Sequence, residues 1–273
     1  SLTDIGANAF RSCVNLTTLN TQIMSNLTNI GSYAFTSCDN LTTFFIPDSL
    51  ATIPDDMFNF CKNLTNVTFG QNPGIKMIGN NVFYRCWALS QFNVPSSVVS
   101  IRQYAFTPYD ISKGVSKITF GGGSRLSSLG DYVFGHGDGG FGAMNLTNIV
   151  LPSNLKFTGI NLFRNARSNF DIFVFPSKID YISHAIFYQE GYTYWSFQRM
   201  YFPISITALD GPRKHRGWVD NGMDTHCIPA INNSAAAYMP SHMQSLFNTT
   251  DNRFHLYFSN TPTGSVYASY YKV

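Results

Sequence analysis

The chain has 273 residues, enough for a large hydrophobic core, and its formal net charge is +3. Charged residues make up only 12% of the chain, against roughly 25% in ordinary globular proteins, and so small a positive excess argues against binding to nucleic acid or to an anionic membrane. No apolar run approaches the ~20 residues that a membrane-spanning helix needs, and the first residues carry no signal-peptide pattern.

A phenylalanine recurs along the sequence every 23 to 29 residues, at Phe10, Phe35, Phe58, Phe83, Phe106, Phe134, Phe163 and Phe187. A cysteine follows three residues after each of the first four, at Cys13, Cys38, Cys61 and Cys86. A disulfide framework is rarely so periodic, and one thiolate per repeat does not bring four ligands around one metal ion. The spacing therefore predicts a column of reduced, buried thiols and no metal site.

The repeat is clearest from Ile30 to Leu50. Its first apolar residues, Ile30, Ala34, Phe35, Cys38 and Leu41, fall close to one face of a helix of 3.6 residues per turn, which predicts a short helical turn. The spacing then changes to the alternation of a strand at Leu41, Phe44 and Ile46. Pro47 follows and ends the strand, because proline has no N–H for a ladder hydrogen bond.

The string I-G-x-x-A-F-x-x-C-x-x-L-T-x-F-x-I-P-x-S-L, read over Ile30–Leu50 and repeated less strictly elsewhere, resembles the BspA-type leucine-rich repeat. The resemblance covers residues 1–209. It implies a right-handed α/β solenoid of about eight repeats, with short parallel strands on a concave face, short helical turns on the other side and a C-terminal cap. It also implies an extracellular or cell-surface part of a larger protein, often one that adheres to host or neighbouring-cell components.

Both ends of the chain differ from the central repeats. Ser1-Leu2 aligns with Ser49-Leu50, so the sequence opens inside a repeat and we expect further repeats or a cap upstream. The pattern stops near Asp210, and residues 210–273 are expected to form a capping segment or a small domain. Within them we expect a helix in Ala235–Phe247 that is broken at Pro240 or begins there, and a strand over His255–Phe258.

Candidate binding residues follow from the alternation within each strand. If Phe44 and Ile46 point into the core, their neighbours point onto the concave face. The candidates are Thr43, Phe45, Asn66, Thr68, Gln91, Asn93, Asn148, Val150, Ile172, Val174, Arg199 and Tyr201. The N-terminal half of this surface is neutral and polar. The C-terminal half predicts an apolar patch that either binds a partner, is covered by the C-terminal segment or is incidental.

Sequence motifs for chemistry are few. There is no H-E-x-x-H or G-x-S-x-G motif, and Glu190 is the only glutamate. A Cys–His pair formed in space by His226 and Cys227, close to Asp224, stays open as an alternative. We interpret the glycine-rich segments, such as residues 135–142, as flexible loops rather than ion or phosphate sites. Several Asn-x-Thr sequons, such as that at Asn40, coincide with the Leu-Thr of the repeat. No cofactor or catalytic residue is expected.

Three functions are compatible with these observations. The favoured one is a non-enzymatic recognition or adhesion module that binds a protein or glycan on the concave face. The alternative is a structural spacer or a virion-appendage segment of a phage or viral fibre. An enzyme is the least favoured.

Overall fold

The computed structural model describes residues 2–108, 113–135, 146, 149–164, 172–179, 181–183, 186, 199–201, 208–209, 236–239 and 255–258. In these residues the chain winds into a β-solenoid of about 6 turns, here called coils, with parallel strands and almost no helix. Eight repeats are not confirmed, since the anchor of the eighth, Phe187, lies outside the described residues.

The described strands are, in chain order, β1 (Asp4–Ile5), β2 (Asn29–Ile30), β3 (Thr43–Ile46), β4 (Thr52–Ile53), β5 (Asn66–Phe69), β6 (Met77–Ile78), β7 (Gln91–Val94), β8 (Ser100–Ile101), β9 (Lys117–Phe120), β10 (Ser128–Leu129), β11 (Phe157–Thr158), β12 (Ile172–Val174), β13 (Tyr181–Ile182), β14 (Arg199–Tyr201), β15 (Ala208–Leu209), β16 (Ala236–Met239) and β17 (His255–Phe258). A 3₁₀ helix, Thr21–Ile23, is the one helical element of the described residues.

The strands form two rows along the solenoid. The long strands pair as β3–β5, β7–β9 and β12–β14–β16–β17, and the two-residue strands pair as β1–β2, β4–β6–β8–β10–β11 and β13–β15. Every pairing is parallel and joins equivalent repeat positions, as when Phe44 pairs with Val67 and Ile53 pairs with Ile78. Each coil therefore stacks in register on the next.

Turns replace the predicted helical segments between a short strand and the next long strand. Tyr33 and Ser37 have φ of 61° and 58°, in the left-handed region. One such residue every four positions interrupts the i→i−4 bonding of a helix. Alternate N–H groups donate to the next coil instead, from Phe35 to the Met57 carbonyl at 3.1 Å and from Ser37 to that of Asn59 at 2.8 Å. The helical prediction was wrong because inter-coil bonds satisfy this backbone.

The glycine that follows the repeat isoleucine marks a close approach between coils. A Cβ added to Gly31 would lie 2.3 Å from the backbone nitrogen of Ala7, and one added to Gly79 would lie 2.6 Å from the backbone nitrogen of Asp55. Real Cβ atoms do not come so near to backbone. The Ile-Gly signature therefore reflects the space available between stacked turns.

The core is a ladder of phenylalanine rings, one from each coil. Consecutive centroids lie 5.2–6.2 Å apart with near-parallel planes, from Phe10 through Phe35, Phe58, Phe83, Phe106 and Phe134 to Phe163. Rings from the long strands pack against this ladder, and Phe44 meets Phe35 and Phe58 edge-on at 5.0 and 4.9 Å. The stacked phenyls make one continuous hydrophobic core along the described coils.

The cysteine column lies beside this ladder. Cys38, Cys61 and Cys86 are buried free thiols, and each donates to the carbonyl of the phenylalanine in the preceding coil at 3.0–3.1 Å. Burial raises the pKa of Cys38 to about 11 and raises the pKa of Cys61 and Cys86 further. The prediction of buried thiols is confirmed for these three, whereas Cys13 is exposed.

The Leu-Thr signature has its own structural reason. The backbone N–H and the hydroxyl of Thr65 both donate to the Thr42 carbonyl, at 2.8 and 2.9 Å, and those of Ser116 both donate to the Ser90 carbonyl, at 2.8 and 3.1 Å. A hydroxyl at this position adds a second bond between coils. This explains the threonine of the Leu-Thr pair.

Strands β16 and β17 show that the long-strand row extends into the C-terminal segment. Tyr201 pairs with Tyr238, and Tyr238 pairs with Tyr257, both in parallel register. Residues 236–239 form a strand, because pairing with β14 overrides the helix propensity of their alanines. A helix that includes them is therefore wrong, whereas a helix that begins at Pro240 stays a prediction. The expected strand at His255–Phe258 is present. The division into repeats (1–209) and a cap or small domain (210–273) stays a prediction.

Candidate recognition surface

The outward side chains of four long strands form a mostly polar surface, here called the long-strand face. It consists of Thr43, Phe45, Asn66, Thr68, Gln91, Asn93, Lys117 and Thr119. Their inward neighbours Phe44, Val67 and Phe92 are buried. The alternation predicted from the sequence is thus confirmed in these strands, and it places all of the N-terminal candidate residues on this side of the sheet.

Pairing of β3 with β5 and of β7 with β9 places the outward side chains opposite one another in two columns. Thr43 lies opposite Asn66 and Gln91 opposite Lys117 in one, while Asn93 lies opposite Thr119 in the other. The Thr119 hydroxyl lies 3.1 Å from Asn93 Oδ1. Seven of these eight side chains are uncharged, so the face offers hydrogen-bond donors and acceptors with little net charge.

One edge of the face is fixed by the 3₁₀ helix. The buried Thr21 hydroxyl donates to the carbonyl of Phe45, and Phe45 itself is half-buried. The connection holds the start of the face against the preceding coil.

The C-terminal candidate residues differ in how far their side chains are exposed. Val150 is exposed (41%), but Val174 and Tyr201 are 2% and 7% exposed. Ile172 and Arg199 lie opposite each other in the register of β12 and β14, and Asn148 lies outside the described residues. The alternative of an open, partner-binding patch is therefore wrong for Val174 and Tyr201, and the covered and incidental alternatives stay open. The alternation of a strand fixes which face a residue takes and not whether that face is open to water.

A second polar surface lies just after the cysteine column, and the sequence did not indicate it as a site. A groove of about 660 Å³, here called the post-cysteine groove, has as its polar lining Asp39, Asn40, Lys62, Asn63, Trp87 and Lys113. Lys62 Nζ lies 2.6 Å from Asp39 Oδ2. The Nζ atoms of Lys62 and Lys113 lie 5.8 and 4.9 Å from the centre of the Trp87 ring. The signal available was the run of polar and aromatic residues in the positions following Cys38, Cys61 and Cys86.

The residues weighed for catalysis, Asp224, His226 and Cys227, lie outside the described residues. Within the described part of the chain, no three His, Cys, Asp or Glu side chains group as a metal site would require. Nor does that part contain a helix with the length and hydrophobicity to cross a bilayer.

The repeat geometry agrees with a known family. The sequence profile of the BspA type leucine rich repeat region matches residues 1–112 and 115–210, in 6 copies. The chain belongs to the BspA-type leucine-rich repeat family. No curated protein sequence matches it. The family is one of interaction or adhesion modules and is typically not enzymatic.

Comparison with solved structures found bacterial proteins that are similar to this BspA-type chain. A leucine-rich repeat protein from Bacteroides ovatus is 16% identical with a TM-score of 0.50, over 94% of this chain and 66% of that one. The pneumococcal vaccine antigen PcpA is 18% identical with a TM-score of 0.43, over 67% and 52%. A leucine rich cell surface protein from Faecalibacterium prausnitzii is 16% identical with a TM-score of 0.33, over 98% and 79%. The chain thus spans about half to two thirds of the first two proteins.

Proposed function

We propose that this BspA-type chain is a non-enzymatic recognition or adhesion module of a cell-surface or secreted protein, and that it binds a protein or glycan on the long-strand face. The observation that carries the proposal is the row of exposed, uncharged hydrogen-bonding side chains at Thr43, Asn66, Thr68, Gln91 and Asn93. Family membership supports the extracellular or cell-surface location.

The construction of the face suits binding. Its side chains stand on strands whose backbone is already paired with neighbouring coils, so the positions of the polar groups are fixed before a partner arrives. Threonine and asparagine also have few rotatable bonds, which limits the entropy lost on association. A rigid, neutral, hydrogen-bonding surface favours a partner recognised by shape and polar contacts rather than by charge.

Charge substitutions on this face test the proposal. Asn66→Asp, Gln91→Glu and Asn93→Asp should each reduce binding at least tenfold on a glycan array and a panel of immobilised matrix glycoproteins, because each adds a charge that the partner must desolvate. Asn29→Asp is the matched control, since Asn29 is exposed on the short-strand row. Unchanged melting temperatures would show that folding is intact. Equal binding by all four variants would contradict the proposal.

The alternative, a structural spacer or virion-appendage segment, is supported by the inter-coil hydrogen bonds that run through the described coils. It predicts that the chain binds nothing on these arrays. It also predicts that its partners are other protein chains of the same assembly, detectable by light scattering when those chains are mixed.

A further inference from the structure

The long-strand face has a gap in its strand pairing, here called the seam, between β5 and β7. The short strands pair without a break from β4 to β11, whereas β5 and β7 are not paired with each other. The N–H of Lys117 donates to the Ser90 carbonyl at 3.2 Å, so that carbonyl points towards β9. Successive backbone groups of a strand point to opposite edges, so those of Gln91 and Asn93 point across the seam, where β5 offers no ladder partner.

Uncharged polar side chains stand on both sides of the seam. Asn66 and Thr68 are exposed on β5, and Gln91 and Asn93 are exposed on β7. The amides of Asn66 and Gln91 make no hydrogen bond to the described residues. The hydroxyl of Thr119 donates to Asn93 Oδ1 at 3.1 Å, which leaves the Nδ2 hydrogens of Asn93 for a ligand. Donors and acceptors mixed in this way are matched by a ligand whose groups also both donate and accept.

The core prevents the seam from admitting an extended peptide. The rings of Phe58 and Phe83, which belong to the two coils on either side, stack with their centres 5.8 Å apart. The Cys86 thiol also donates to the Phe58 carbonyl at 3.0 Å. An inserted strand would part these coils by about 4.8 Å and break both contacts. A hydroxyl group is small enough to bond to the exposed side of the seam while the coils stay together.

The composition of the whole face favours a sugar over a folded protein as the ligand. The binding energy of protein interfaces is concentrated in tryptophan, tyrosine and arginine side chains. The eight side chains of the long-strand face include one aromatic ring, that of the half-buried Phe45, and one charge, that of Lys117. One aromatic ring suits the apolar face of a sugar ring, and a single cation gives little attraction for an acidic glycan. The chemistry therefore matches a neutral glycan.

We propose that the long-strand face binds a neutral, linear polysaccharide that runs along the solenoid across the seam. Its hydroxyls contact the amides of Asn66, Gln91 and Asn93, and one of its rings packs on Phe45. Because successive coils are about 4.8 Å apart, each further sugar unit meets the side chains of a further coil. This proposal rests on the function proposed above and names the class of ligand.

Native gels that contain a neutral polysaccharide test the ligand class. The chain should be retarded by at least one of mixed-linkage β-glucan, arabinoxylan, glucomannan and dextran, and retardation by none of them would overturn the proposal. Isothermal titration with oligosaccharides of the polymer that binds should give at least tenfold tighter binding of the hexasaccharide than of the disaccharide. Equal affinity for the two would contradict a ligand that spans several coils.

Matched alanine variants locate the site at the seam. Gln91→Ala and Asn93→Ala should each weaken binding of the hexasaccharide at least fivefold, because each removes a carboxamide beside the seam. Asn29→Ala removes the same kind of group from the exposed Asn29 on the short-strand row and should leave binding within twofold. Equal effects of the three substitutions, at unchanged melting temperatures, would contradict the proposed site.

The nature of the partner separates this proposal from the function on which it rests. If no neutral polysaccharide retards the chain, but matrix glycoproteins stripped of their glycans bind it and Gln91→Glu weakens that binding, the ligand is a protein. The proposal of a polysaccharide then fails, while the long-strand face keeps its recognition function. Equal binding by the parent and by all charge-substituted variants of the face removes both.

Discussion

Replacing Phe83 by alanine removes a ring from the middle of the phenylalanine ladder. Phe83 is 2% exposed, and its ring centre lies 5.8 Å from that of Phe58, 5.3 Å from that of Phe106 and 4.9 Å from that of Phe92. A buried aromatic side chain covers about 150–250 Å², which at ~25 cal/mol per Å² amounts to roughly 4–6 kcal/mol. Measured truncations of buried aromatics cost about 3–5 kcal/mol. We therefore expect the free energy of unfolding to fall by about 4 kcal/mol.

Phe157→Ala makes the same chemical change where the ring is 58% exposed, and so serves as the control. At the same ~25 cal/mol per Å², the smaller buried area of the Phe157 ring corresponds to at most ~2 kcal/mol of stability. Urea unfolding followed by circular dichroism measures the difference. Amide hydrogen exchange of neighbouring coils adds a local readout, since each coil of a solenoid is coupled chiefly to its neighbours.

The reasoning fails if the two variants lose the same stability within about 1 kcal/mol. That result would mean that the ring at position 83 is not a core residue, and hence that the repeat register is wrong.

Two further predictions concern the thiols and the inter-coil spacing. Burial raises the pKa of Cys61 and Cys86 above the ~8.5 of a thiol in an unfolded chain. As the pH rises, the unfolded state therefore loses these protons before the folded state does. The free energy of unfolding should fall above pH ~8.5, by about 2 kcal/mol per thiol at pH 10. The free energy of unfolding, measured with urea, should therefore fall by about 4 kcal/mol less between pH 7.5 and pH 10 in the Cys61→Ala/Cys86→Ala variant than in the parent. An identical fall in the two proteins would refute the burial argument. Gly31→Ala should cost about 1–3 kcal/mol, because its Cβ would lie 2.3 Å from a backbone nitrogen. Gly122→Ala, whose Cβ would meet nothing within 4 Å, should leave the melting temperature unchanged, and equal melting temperatures for the two glycine variants would contradict the close-approach explanation.

The long strands were predictable because their period is a direct consequence of backbone geometry. Phe44 and Ile46 are buried and Thr43 is exposed, as alternation requires. The phenylalanine ladder followed from the same register, since residues at one repeat position must stack when coils repeat.

The turns were not predictable from apolar spacing. Offsets that fit one face of a helix also fit a run of tight turns, and both bury Ala34 and Phe35. Asparagine often adopts the left-handed conformation, so Asn8 and Asn81 are compatible with such turns from the sequence alone. Tyr33 and Phe60 adopt the same conformation, which bulky residues seldom do. Bonds to the next coil stabilise these conformations, and such tertiary bonds have no local sequence signal.

Strand β16 was missed for a related reason. Ala236–Met239 lacks the leucine pattern of the repeat, and its alanines favour helix. One signal was available, because Met239-Pro240 repeats the apolar-proline pair that ends earlier long strands, such as Ile46-Pro47. The groove around Trp87 was missed because the search followed the strands, while its residues come from the corner between the turns and the strands.

Register between coils is independent of coil length. Ile78 pairs with Ile101 across 23 residues, and Ile101 pairs with Leu129 across 28. The additional residues must therefore lie outside the paired columns, in the connections between them. Foreign peptides could accordingly be grafted at Gly122, where an added Cβ would meet nothing within 4 Å, for display or labelling, without altering which residues stack in the columns.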